Sequence, residues 1–222
     1  MPWSALAGPS PTTWSSSSRP LELSEARRRR RMVRAFGPDP VDPAVVDTLL
    51  DGARRAPSAG NTQAVRFLVL DTPEAVAGYW DLSLPAERRA GFAWPGLLVA
   101  PVLVVVLVDP DAYVTRYAEP DKAATGLGKG VGEWTVPYWW VDAGAAIQDL
   151  LLGVVDAGLG ACLFGLFAHE GAVLRAHGVP SGWRAAGTVA LGHPAPSRPG
   201  RSAERDRTPL GEVIHRGRWP IG

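Results

Sequence analysis

The run PVLVVVLV, residues 101–108, constrains this chain more than any other stretch. After Pro101 come seven apolar residues, five of them valine. A β-branched run of that length without polar alternation reads as a strand covered on both faces. The surrounding apolar stretch, 97–108, is too short to span a bilayer and contains Pro101, so no membrane span is expected. A second segment fits the same picture. Ala143, Ala146, Ile147, Leu150, Leu151, Val154 and Val155 recur at helical spacing, which predicts a helix over about 138–157. Gly158 stands where a C-terminal glycine stops such a helix.

Composition agrees with a globular chain. The 222 residues are 46% hydrophobic and 20% charged, enough for one domain with a sizeable core. The net charge of +1 gives no whole-chain reason to expect nucleic acid or an anionic membrane as partner. A single cysteine, Cys162, excludes an internal disulfide framework and is compatible with a reducing cytoplasm. Between Ala161 and Leu163 it reads as a buried, inert thiol. Residues 1–20 are rich in Ser and Pro and lack an apolar segment behind a basic one. They read as a disordered arm, or as sequence upstream of the working domain, and not as a signal peptide. The remaining residues, 21–222, read as one domain.

The other elements follow from local chemistry. LELSEARRRRR predicts a helix running into the arginine block at 27–31. Asp42 can cap a helix that starts at Pro43 and carries Val45, Val46, Leu49, Leu50 and Ala53 on one stripe. Pro57 discourages helix at Ala56. Strands are expected at 65–71 and 101–108, a short helix at 74–80, and another within DPDAYVTRY. Residues 119–137, with four glycines in GLGKGVGEWTVP and no periodicity, read as a mobile loop or lid. GACLFGLF reads as a short strand and turn, 169–177 as a helix and 183–194 as a final strand, before a polar, mostly extended tail. With no regular βαβ beat, the fold class is α+β.

Several chemical signals can be set aside. The glycines at 126–132 lack the spacing of a phosphate loop or dinucleotide fingerprint. The four histidines lack metal-ligand spacing, so no metal site is expected. Two features keep a second reading. APSAGNTQ, residues 56–63, is either a solvent turn or a set of small and amide side chains built to hold something. The arginines at 27–31 run directly into Met32, Val33 and Phe36, which makes them part of a folded segment. A guanidinium fork grips phosphate at two points, and Arg201, Arg205 and Arg207 form a second basic set near the other end.

Four segments, in order, resemble the FMN-dependent nitroreductase family: RRMVRAF at 30–36, APSAGNTQ at 56–63, DAGAAIQDLLLGVVDAGLGACLFG at 142–165 and VALGHP at 189–194. The resemblance covers roughly residues 27–219. It implies an α+β fold with a central, mostly antiparallel sheet flanked by helices, an intertwined homodimer, and FMN in clefts at the subunit interface. The family's R-R-S-x-R segment, which contacts the flavin phosphate, ribityl chain and pyrimidine edge, falls on Arg30, Arg31, Met32 and Arg34. Methionine here replaces the common serine hydroxyl. The P-S-x-x-N-x-Q segment falls on Pro57, Ser58, Asn61 and Gln63, with Ala64 and Val65 in place of the usual Pro-Trp. Leu163, Phe164 and Gly165 match the segment that covers the flavin's other face, and Arg205 and Arg207 match the basic residues completing the phosphate site. Tyr138, Trp139 and Trp140 are either core and interface aromatics or a wall for a flat substrate.

The resemblance further implies ping-pong transfer of hydride from NAD(P)H, through FMN, to a nitroaromatic, quinone or similar flat electrophile. No catalytic side chain is required, because the flavin carries the chemistry. The rivals are a specialised flavin reaction on the same fold, a non-catalytic flavin-binding protein, and a nucleic-acid module built on the arginine block.

Overall fold

A computed structural model describes residues 21–197, 200 and 204–219. The expected N-terminal arm and Arg201 lie outside the described residues. Helix α1 (Leu23–Arg29) ends in three arginines, where cations meet the negative end of the helix dipole. Asp42 accepts the Ala44 N–H to cap α2 (Pro43–Ala53), as its position predicts. Strand β1 (Val65–Leu70) follows, then α3 (Pro73–Ser83), the short α4 (Ala86–Arg89), β2 (Val102–Val108), α5 (Pro110–Ala118) and α6 (Tyr138–Asp156). After them come β3 (Gly160–Phe164), α7 (Glu170–Ala176), β4 (Arg184–Gly192) and one turn of helix, α8 (Leu210–Val213).

All strand pairs are antiparallel, in the order β1-β2-β4-β3. The Val-rich run is the interior strand β2, with every residue buried. Its pleat sends Val102, Val104, Val106 and Val108 into a core shared with Val46 and Leu49 of α2 and Ile147, Leu150 and Val154 of α6. Leu103, Val105 and Leu107 enter a second core with Val76, Tyr79 and Trp80 of α3 and Val173 and Leu174 of α7. Two-sided burial thus explains the absence of polar alternation in the sequence. In the second core, the Tyr79 and Thr188 hydroxyls satisfy each other at 2.8 Å.

Three expectations are revised. The helix expected at 74–80 is longer, because Thr72 caps it by accepting the Ala75 N–H and Pro73 starts it. The tail contains the single helical turn α8. Residues 119–137, expected as a mobile loop or lid, carry local structure of their own. Three short 3-10 turns at 123–125, 127–129 and 131–133 fold the segment back on α5. Trp134, 7% exposed, anchors it: its ring lies 4.7 Å from that of Tyr117, and its indole N–H donates to the Leu127 carbonyl at 3.1 Å. Gly128 is there for contact, since a Cβ would sit 2.5 Å from the Ala118 nitrogen. Among the described residues, no helix is long and apolar enough to cross a membrane.

Candidate functional site

Past α1 the chain becomes extended at Arg30 and runs along the free edge of β3. Met32 forms a parallel bridge with Ala161, and the Val33 N–H donates to the Ala161 carbonyl at 2.8 Å. This approach needs a bare backbone at Gly160, where a Cβ would fall 2.9 Å from the Val33 side chain. Methionine at position 32 has its own use here. Its sulfur accepts the Leu163 N–H at 3.4 Å, tying the arginine ribbon to the strand below it. Arg34 turns toward a cavity of about 380 Å³ that Leu163, Phe164 and Gly165 also line, and its guanidinium lies 5.1 Å from the centre of the Trp94 ring. Phe164 stacks on Trp80, centroids 5.6 Å apart. Phe167 covers Gly165 in a left-handed conformation, φ 47°, and is 88% exposed. Arg30 and Arg31 face a smaller cavity of about 200 Å³ beside Gly158 and Gly160. Burial pushes the Cys162 thiol above its ordinary range, which keeps it protonated and inert.

The second part of the site is the turn at 56–63. Gly60 (φ 62°), Asn61 (φ 54°) and Gln63 (φ 53°) are all left-handed, which for the two side-chain-bearing residues costs on the order of 1 kcal/mol or more each. Internal bonds hold this shape. Ser58 accepts the Asn61 N–H with its carbonyl at 2.9 Å and the Gln63 N–H with its hydroxyl at 3.0 Å. The Gln63 amide donates to the Asn61 side-chain carbonyl at 3.1 Å.

External braces matter as much. Asp142, 5% exposed, accepts the Ala59 N–H at 2.8 Å and the Tyr113 hydroxyl at 2.7 Å, both on Oδ2. Arg116 donates from Nε to the Gly60 carbonyl at 2.8 Å. Burial and the adjoining carboxylate push the Tyr113 hydroxyl above the ordinary phenol range, so it remains a donor. A solvent turn would not be held from two helices, so APSAGNTQ is a built structure. It borders a cavity of about 530 Å³ lined by Pro57, Ser58, Gln63, Phe67, Asp142 and Ala146, among others.

These braces were absent from the sequence reading, although one signal was available. Asp142 lies three residues after the buried Trp139 and four before the buried Ala146, on the apolar face of α6. An acid in that phase must have a partner. Tyr113 and Arg116 left no comparable trace.

The two parts do not meet within one chain. The turn at 56–63 leads into β1 at one edge of the sheet, and residues 163–165 end β3 at the other. Three strand spacings of roughly 4.8 Å put these edges about 14 Å apart. Asn61 is exposed at the tip of the turn. Arg205 and Arg207 are exposed in the segment after Gly200. Of the three aromatics opening α6, Trp139 is buried against Tyr113 and Trp134, at 6.0 and 5.9 Å, so it belongs to the core. Tyr138 and Trp140 are exposed, and the Arg184 guanidinium lies 5.7 Å from the Trp140 ring centre.

Comparison with known proteins agrees with this architecture. The 5,6-dimethylbenzimidazole synthase of Rhodobacter capsulatus is 29% identical over 198 residues, covering 89% of this chain and 90% of its own. An NADH dehydrogenase of Thermus thermophilus is 28% identical, covering 79% of this chain and 88% of its own. Among solved structures, a nitroreductase of Desulfovibrio desulfuricans in complex with FMN superposes with a TM-score of 0.62 at 25% identity, covering 89% of this chain and 98% of its own. The family model of the nitroreductases matches residues 28–193, which takes in the arginine ribbon, the 56–63 turn and all four strands, and the chain belongs to the nitroreductase family.

Proposed function

We propose that the protein is an FMN-dependent NAD(P)H oxidoreductase that acts as a homodimer. The observation that supports this most directly is the pairing of the 30–36 ribbon with β3, which brings Arg34 and residues 163–165 to one cavity. The donor set suits a flavin. Arg34 offers a guanidinium to a carbonyl-rich edge, Ser58 a hydroxyl, and Asn61 and Gln63 amides to ribityl hydroxyls. Arg30, Arg31, Arg205 and Arg207 are the candidates for the phosphate. The Desulfovibrio relative was solved with FMN, which supports the same cofactor here.

The separation of the two parts supports the dimer. A second copy laying its 56–63 turn against residues 163–165 of the first would reunite them. Val136 just before α6, Tyr138 and Val141 in its first turns, and Leu210, Val213 and Trp219 in the C-terminal segment are exposed in the single chain and would give that copy an apolar surface to cover. A Cβ at Gly144 would meet nothing within 4 Å, leaving bare helix for close approach, whereas at Gly153 it would meet Leu49 of the same chain at 3.0 Å.

When bound, FMN supplies two-electron hydride exchange, accepting from NAD(P)H and yielding to a nitroaromatic, quinone or similar flat electrophile. The chain binds and orients. Arg34 and the 163–165 backbone fix the ring, the 56–63 turn holds its polar edge, and Tyr138 and Trp140 wall the substrate. A second reading has a specific support: the relative named as 5,6-dimethylbenzimidazole synthase matches along most of this chain, which favours a specialised flavin reaction as the alternative.

The test is the visible spectrum of the purified protein, then anaerobic addition of NADPH and NADH in turn. A yellow protein bleached by either donor is the expected result. A yellow protein that neither donor bleaches supports the specialised reaction or a non-catalytic flavin carrier. A colourless protein that takes up no FMN overturns both readings.

A further inference from the structure

The 530 Å³ cavity has a feature that the flavin reading does not use. Asp142 lines it and is only 5% exposed, yet just one of its carboxylate oxygens is engaged. Oδ2 receives both the Ala59 N–H and the Tyr113 hydroxyl, and among the described residues Oδ1 receives no hydrogen bond. The walls around it are mixed: Pro57, Val65, Phe67 and Ala146 are apolar, whereas Arg54, Arg66, Ser58 and Gln63 bring polar or charged groups to its rim. Oδ1 is not closed off from the cavity, so a ligand that brings an O–H or N–H to it exchanges a solvent contact for a charge-assisted hydrogen bond.

We propose that this cavity binds a small aromatic molecule carrying an O–H or N–H donor, and that Asp142 Oδ1 receives it. The inference rests on the flavin reading in one respect: the shared turn sets the ligand beside the cofactor, as a substrate's anchor. The recognition itself is local. Donor-bearing aromatics such as phenols, aminoaromatics and aromatic carboxamides belong in the site, and their methylated counterparts do not. The geometry also defines what a neutral replacement would do. In Asp142→Asn the amide oxygen must stay toward the Ala59 N–H, which has no other acceptor there. The amide NH2 then faces the cavity, turning an acceptor into a donor.

The test uses the full-length protein as purified and two probes that cannot be reduced as nitro or quinone compounds are: 2-naphthol and 2-methoxynaphthalene. Binding is followed by calorimetry and, independently, by the visible flavin bands. In the wild type 2-naphthol is expected to bind about tenfold more tightly or better, the weight of a hydrogen bond to a charged acceptor. Asp142→Asn should abolish that preference while its circular dichroism stays unchanged. Tyr113→Phe leaves Oδ1 free, so the preference should survive. That variant and the wild-type pair carry the test if Asp142→Asn does not fold. Equal binding of the two probes, failure of 2-naphthol to bind, or a preference that persists in Asp142→Asn overturns the proposal. If the preference appears in a protein that is colourless and refuses FMN, the flavin reading fails and the donor site stands. If the protein is yellow without the preference, the donor site alone fails.

Discussion

Replacing Trp134 by alanine separates a held segment from a mobile lid at 119–137. The ring is 7% exposed and touches a cluster whose centroids lie 4.7 Å (Tyr117), 5.9 Å (Tyr113) and 5.9 Å (Trp139) away. Truncating a buried tryptophan costs about 3–5 kcal/mol, and the Leu127 carbonyl also loses its donor, roughly 1 kcal/mol more. For a chain of this size that lowers the melting temperature by on the order of 10 °C. The local effect should exceed the global one, because the 3-10 turns between Ala123 and Glu133 have few other anchors. Limited trypsin digestion reads it out. Lys122 and Lys129 are expected to resist cleavage in the wild type and to become early cleavage sites in Trp134→Ala. Trp134→Phe keeps most of the ring contact and loses the bond, so it should fall between, at about 1–2 kcal/mol. A Trp134→Ala protein that melts with the wild type and stays uncut at Lys129 would refute the anchoring role and return the segment to the lid reading.

Two further outcomes follow from particular contacts. Gly60→Ala puts a Cβ 2.8 Å from the Tyr117 ring at φ 62°, so it should cost about 1–3 kcal/mol and reduce flavin retained on purification, checked by thermal melting and the absorbance ratio. Burial works against the Glu170 charge, but the Arg184 guanidinium (2.9 Å) and the Ala185 N–H (2.8 Å) outweigh it and hold the carboxyl below its ordinary range. A depressed folded value means stability present above the unfolded value of about 4.3 and lost as pH falls through the folded one. The urea-unfolding gap between wild type and Glu170→Gln should thus be constant above about pH 5 and close below pH 4.3; a gap that widens on acidification would contradict the pairing.

Much of the fold was legible because it is written in short-range chemistry. Periodicity located α6, Asp42 and Pro43 marked the start of α2, and the unbroken Val-rich run identified β2 as a strand with two covered faces. The order of four short segments pointed to the family that the matched residues 28–193 show. These signals act over a few residues, where sterics and burial period dominate, so one chain without its partners suffices to read them. The turns within 119–137 were not legible for the same reason. Its glycines carry no period, and the contact that orders it, Gly128 against Ala118, depends on how the chain doubles back.

What only the tertiary structure decided is who reaches whom. Asp142 holds Ala59 across 83 positions of sequence, Met32 takes the Leu163 N–H across 131, and no local preference encodes either pairing. The strand order likewise sent the 56–63 turn and residues 163–165 to opposite edges of one sheet. The sequence by itself determined the elements and the residue types that the proposed flavin site would require, because those follow from local backbone and burial. Their placement at two edges of one sheet, and that of Asp142 in the cavity between α2, β1 and α6, follow from long-range packing, in which each contact is set by the whole core and not by its neighbours in the chain.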